Sequence, residues 1–249
     1  MSADRNKIVN FCEEYLKVKD FNDYCVNGLQ VEGDIKINKI VVGVSLCEQL
    51  IKAAIKKKAE MIIVHHGIFT NHISQPPKIG NYLGKRLKLL LANNINLCGF
   101  HLPLDAHPVI GNNISLCNLF GLSNIKPFDV GFLGEFKKEI LFSDFVKTID
   151  KKLDTKSYTI SAGPKKIKKI GIISGGVSYD FLPAHELGAD TFLCGEIKES
   201  TVRSVEEVGI NFINAGHYNT EKLGIKNLGA LVAKKFKIKV EFIDIPNGI

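Results

Sequence analysis

Two adjacent histidines, His65 and His66, close the apolar run EMIIVHH and stand directly before Gly67. Neighbouring residues of a regular strand point to opposite faces, so the pair cannot easily serve one ion. Gly67 lets the backbone turn just after them, and the two imidazoles can then face two different ions. Further on, NINLCGFHLPLD carries His101 with Asp105 four residues later, and GINFINAGHYNTE carries His217 with Glu221 four residues later. A bridging carboxylate from Glu221 or Asp105 would offset the repulsion between two cations roughly 3.5–4 Å apart. The expected ligands are therefore His65, His66, Asp105, His217 and Glu221. Nitrogen and oxygen donors without thiolate suit Fe, Mn, Zn, Co or Ni, and the Irving–Williams order allows no firmer choice.

Other residues keep alternative roles. His101 is expected as a ligand, an orienting group or a proton carrier. Glu196 is expected as a general base, a hydrogen-bond acceptor beside a ligand, or a cap of the helix that follows. His72, His107 and His185 read as hydrogen-bonded structural histidines. Asn27 and Gly28 open NGLQVEG, either the rim of a pocket or a plain surface turn. Ser174–Gly175–Gly176 lies at a strand end where backbone amides could cradle an anion, but it lacks the spacing of a dinucleotide or P-loop motif.

These residues need a scaffold that brings strand ends together, and the patterning predicts an α/β fold. A helix is expected over 4–19 and a loop over DYCVNGLQVEGD. Strands at 39–45, 60–65 and 94–101 follow, with helices at 47–58 and 80–93 between them. The second half repeats the order, with strands at 166–174, 190–195 and 209–217 and helices at 179–187 and 198–208. A helix at 221–235 and a strand at 238–243 close the chain. KINKIVVGVS answers KIKKIGIIS, KAEMIIVHHG answers GADTFLCGE, and NINLCGFHLPLD answers GINFINAGHYNTE. Such self-similarity predicts two related halves, 1–123 and 166–249, with 124–165 as a connecting or inserted segment. That segment holds a strand-like stretch at 128–136 and a helix at 139–152. In open α/β sheets ligands gather at the carboxyl ends of strands, where every candidate above falls.

Composition narrows the class. The chain has 249 residues, 45% of them hydrophobic, enough for a buried core. No apolar run approaches the ~20 residues a membrane helix needs, and the charged, amphipathic N-terminus lacks the features of a signal peptide, so a cytoplasmic protein is expected. Six cysteines form no CxxC pair and read as reduced, buried thiols. The net charge of +7 comes from 33 basic and 26 acidic residues. The lysine runs are scattered and lack interleaved aromatics, so they read as solvated surface before they read as a site for an anionic partner.

The stretches DYCVNGLQVEG, IIVHHG, FHLPLDAHPVIGNN, LGADTFLCGEI, NAGHYNTEKLGI and FIDIP, spread over nearly the whole chain, are similar to those of the Nif-three-like dinuclear-metal proteins, the GTP cyclohydrolase I type 2 homologues. The resemblance implies two related α/β halves with mixed sheets around a two-metal site, built from His65, His66, Asp105, His217 and Glu221. It further implies a toroidal homohexamer with the sites facing an interior cavity. The activity it implies is hydrolysis of GTP by metal-activated water at guanine C8, with release of formate and with His101 or Glu196 moving protons. A phosphoesterase on nucleotides or nucleic acid and a non-enzymatic metal-handling or partner-binding ring are the competing readings. Two departures from the pattern, IFTNH at 68–72 and GHYNTE in place of GHHATE, leave the ligand positions intact.

Overall fold

The computed structural model describes residues 2–70, 73 and 78–248. Asn71 and His72, and with them the expectation for His72, lie outside the described residues. The N-terminal stretch runs β1 (Ala3–Asp4), α1 (Arg5–Tyr15), β2 (Gly28–Val31), β3 (Lys36–Ile37), β4 (Lys39–Ser45), α2 (Glu48–Lys56), β5 (Met61–His66), α3 (Asn81–Ala92), β6 (Asn96–Gly99) and α4 (Leu102–Asp105). It continues with α5 (Asn112–Leu119), β7 (Ser123–Phe128), β8 (Gly131–Leu141), α6 (Phe142–Leu153), β9 (Tyr158–Ser161) and β10 (Lys166–Ile172). The last part holds α7 (Phe181–Glu186), β11 (Thr191–Cys194), α8 (Glu199–Val208), β12 (Asn211–Asn214), α9 (His217–Thr220), α10 (Lys222–Phe236) and β13 (Lys239–Phe242).

The chain divides into two compact units. One is Met1–Leu104 with Ile225–Ile245; the other is Asp105–Gly224 with Pro246–Ile249. The first unit holds a five-stranded sheet in the order β13-β4-β5-β6-β2. Its first four strands are parallel and β2 is antiparallel to β6. The second unit holds a six-stranded sheet in the order β7-β8-β10-β11-β12-β9. There β10, β11 and β12 are parallel, and β8 and β9 flank them antiparallel. Each sheet is thus built on three consecutive parallel strands closed by an antiparallel strand on the last of them, and the pairs matched in the sequence, β4 with β10, β5 with β11 and β6 with β12, hold equivalent places. The continuous Ile and Val runs follow from burial on both faces. Ile40 to Val42 and Met61 to Val64 are at most 1% exposed. Each such side chain contributes on the order of 1.5–3 kcal/mol by leaving water.

The unit boundaries differ from those expected. Strand β13 pairs with β4, so 225–245 belongs with the N-terminal unit although it ends the second half in sequence. Segment 124–165 is not a linker: β7, β8 and β9 are integral strands of the second sheet, and Phe142, Phe145, Ile149 and Leu153 of α6 join its core. The expected loop DYCVNGLQVEGD contains β2. Neither His101 nor His217 lies on a strand: His101 follows the end of β6, and His217 opens α9.

The duplication extends to buried polar clips. Asn96 Oδ1 accepts from Gly33 N at 2.8 Å, while its amide donates to Asp34 O and Glu60 O. Asn211, its counterpart, accepts from Gly163 N at 3.0 Å and donates to Pro164 O at 2.8 Å. Both asparagines are at most 1% exposed. Asn211→Ala strands a buried donor and acceptor, and should cost about 2–3 kcal/mol. The check is a lower urea midpoint at unchanged m-value; an unmoved midpoint would show that the clip carries no stability.

Of the six cysteines, five are buried and Cys47 is intermediate. Burial, helped by the nearby Glu13, pushes the Cys12 thiol up to about 12, and burial does the same to Cys117. Ellman's reagent at pH 8 should therefore modify one thiol quickly in the native protein and the remainder only on unfolding. Among the described residues no helix is long and apolar enough to cross a membrane.

Candidate metal centre

In the first unit, β5 delivers His65 and His66 and the turn after β6 delivers His101. One ring nitrogen from each lies within 4.8 Å of the others. The rings of His65 and His66 are 4.5 Å apart between centroids, and those of His65 and His101 5.0 Å. Strand alternation does not separate the adjacent pair, because each ring is tied by its Nδ1. His65 Nδ1 donates to Phe100 O at 2.8 Å. His66 Nδ1 meets Ser45 Oγ at 2.9 Å across the β4–β5 pairing. His101 Nδ1 donates to Asp23 Oδ1 at 2.9 Å. A carbonyl or a carboxylate can only accept, so His65 and His101 carry a proton on Nδ1, and Nε2, which on His101 lies 3.4 Å from Tyr24 Oη, is the nitrogen through which each would meet a cation.

In the second unit, Glu196, just beyond β11, accepts from His217 Nδ1 at 2.5 Å, and His217 Nε2 lies 3.1 Å from Glu221 Oε1. Burial alone would lower the imidazole pKa, but the hydrogen bonds and charges of Glu221 and Glu196 outweigh it and hold His217 up to about 9. The positive charge this site attracts in a proton is one that a divalent ion can supply instead. Asp105 is 5% exposed and is oriented by Asn112 Nδ2 at 2.8 Å and Ser174 Oγ at 3.0 Å. Gly175, at φ +74°, leaves room here: a Cβ would fall on Glu221 Oε1 and 3.3 Å from His217 Nε2. The Ser174–Gly176 motif thus backs carboxylates, and those carboxylates make it a poor anion cradle.

The donor set fits divalent metals. Each unit offers imidazole nitrogen fixed through Nδ1, the second adds carboxylates, and the tethers are the carbonyl, hydroxyl and carboxylate partners that metal-binding histidines use. Cys25 lies within 4.8 Å of Asp23 and His101 ligand atoms. Asp23, however, already takes four donors, Cys25 N, Asn27 Nδ2, Leu102 N and His101 Nδ1, and is the hub of a hydrogen-bond network. Among the other histidines, His107 accepts from the amides of Val109 and Ile110 and so has the structural role expected of it.

Sequence reasoning passed over Asp23, Ser45, Asn112 and Gln30. Gln30 Oε1 accepts from Ile68 N at 2.7 Å and holds the turn after His66, while Asn27 Oδ1 accepts from His101 N at 2.7 Å. NGLQVEG is therefore part of the site's support. The dense run of polar residues in DYCVNGLQ was the only available signal.

Residues 3–248 match the model of the family described as Duf34/NIF3 (NGG1p interacting factor 3). The chain is 45% identical over 232 residues to a "GTP cyclohydrolase 1 type 2 homolog" of Haemophilus influenzae, covering 91% of this chain and 92% of that one. It is 37% identical over 255 residues to the protein of the same description from Pyrococcus abyssi, covering 99% and 100%. Among solved structures, protein ybgI, described as of unknown function, matches with a TM-score of 0.94 at 35% identity over 99% of this chain and 100% of that one. TTHA1606 from Thermus thermophilus matches at 0.92 and 33% identity, with the same coverage.

Proposed function

The chain belongs to the Duf34/NIF3 family, and we propose that it is a metal-dependent hydrolase whose ligands are His65, His66, Asp105, His217 and Glu221. The observation that carries this reading is the set of Nδ1-tethered imidazoles, His65, His66 and His101 clustered in the first unit and His217 beside Glu221 in the second. Two divalent ions would lower the pKa of water toward neutrality and polarise the substrate. The chain's own groups do the rest. Asp23 keeps His101 in the tautomer whose Nε2 can take a proton, which makes His101 the candidate general base. Glu196 positions His217, and Asn112 with Ser174 positions Asp105.

The relatives' description as GTP cyclohydrolase 1 type 2 homologs supports GTP as the first substrate to test. Hydrolysis there opens the guanine imidazole ring at C8 and consumes two waters as C8 leaves as formate. Metal-loaded protein incubated with GTP should release formate. Inorganic phosphate without formate, across a nucleotide panel, would instead identify a phosphoesterase. No product from either assay, with metal passed to an apo-acceptor, would identify a metal-handling protein. A homohexamer acting in the cytoplasm accompanies the proposal, and light scattering tests the assembly.

A further inference from the structure

Beside Gly67, the first unit holds a cavity of about 510 Å³ between the turn that follows His66 and the start of α3. We propose that it is a recognition subsite for a mononucleotide, with Tyr82 stacking on the base and Arg86 and Lys78 holding the phosphates. Its position beside a metal histidine ties it to the hydrolase reading above; the binding itself does not depend on that reading.

The cavity lies within the usual volume range for small-molecule sites. Its described lining contains two cations, Lys78 and Arg86, and no carboxylate. Tyr82 is 68% exposed, a large ring held in water at the cavity wall. The Arg86 guanidinium sits 4.9 Å from its centroid. A tyrosine ring backed by guanidinium is a stacking platform for a heteroaromatic base. Arginine also pairs with phosphate oxygens through two parallel N–H donors. Leu83 and the buried Ile68 add apolar surface. The first turn of α3 carries no acidic residue to repel an anion. A strand of nucleic acid is the weaker fit, since strand-binding grooves repeat their aromatic platforms and the described lining of this cavity offers one.

The test is calorimetric titration of the full chain, stripped of metal and kept in EDTA, with GTP, guanosine and inorganic triphosphate. GTP should bind more tightly than either fragment. Arg86→Ala should weaken GTP at least about tenfold, with partial rescue in Arg86→Lys. Tyr82→Ala should weaken GTP and guanosine about fivefold or more and leave triphosphate unchanged, while Tyr82→Phe behaves as wild type. Equal GTP affinity in wild type and Arg86→Ala overturns the subsite. So does triphosphate binding as tightly as GTP, which would make the cavity an anion patch, or an oligonucleotide outcompeting GTP nucleotide for nucleotide. If the expected binding pattern holds while metal-loaded protein releases neither formate nor phosphate, the subsite stands and the hydrolase reading falls.

Discussion

His217→Ala should bind divalent metal at least about 100-fold more weakly than wild type and lose hydrolytic turnover with it. Changing groups that merely orient a ligand typically costs 10–100-fold in metal affinity or activity, and loss of the ligand itself belongs at or beyond the upper end. The geometry sharpens the expectation. His217 stands between Glu196 and Glu221, so its removal deletes a nitrogen donor and leaves two carboxylates without the imidazole between them. Glu196→Gln is the matched control. A glutamine carbonyl still accepts from Nδ1–H, so that variant should keep most of its metal, whereas Glu196→Leu should lose about 10–100-fold. Elemental analysis after loading and dialysis reads all three. Retention of full activity by His217→Ala after its metal is gone would end the hydrolytic mechanism.

Asp23→Asn should lose about 2 kcal/mol of stability at pH 7 and cut turnover by about 10–100-fold. The Asp23 side chain is 2% exposed. Burial pushes its pKa up, but the hydrogen bonds from His101, Cys25 and Asn27 and the charge of His101 prevail and hold it down to about 2. A carboxylate whose folded pKa is depressed stabilises the fold above its unfolded pKa, near 4, and loses that contribution as pH falls through the folded value. Wild type should accordingly weaken between about pH 4 and 2. Asn, which resembles the protonated acid, should show a flatter profile there, so the two melting curves converge at low pH. A gap that persists unchanged at pH 2 would assign the loss to packing instead of charge.

Much of the scaffold was legible because its signals are local. MIIVHH and NLCG are apolar runs whose only plausible place is a covered strand, and the doubled histidine interrupts one where packing has no use for it. What stayed hidden depends on partners distant in sequence. The C-terminal β13 has the pattern of any short strand, and nothing in KVEF states that it pairs with β4 about 200 residues earlier. Strand β2 was hidden by Asn27 and Gly28, which read as a turn even though Leu29 pairs with Cys98. Asp23 serves a histidine 78 residues away and so left no periodic trace. The ligand candidates were easier to find than their supports, since imidazoles at strand ends are rare and the carbonyls and amides that aim them are everywhere.

The Nδ1 tethers of His65 and His101 have one further consequence. Their partners, Phe100 O and Asp23, belong to the backbone and to a hydrogen-bond hub, neither of which needs a cation to stay in place. Small zinc domains collapse when chelated because the metal is their core. Here the packed sheet of the first unit keeps both imidazoles aimed, so chelation is expected to leave the fold intact and any reloading to need no refolding.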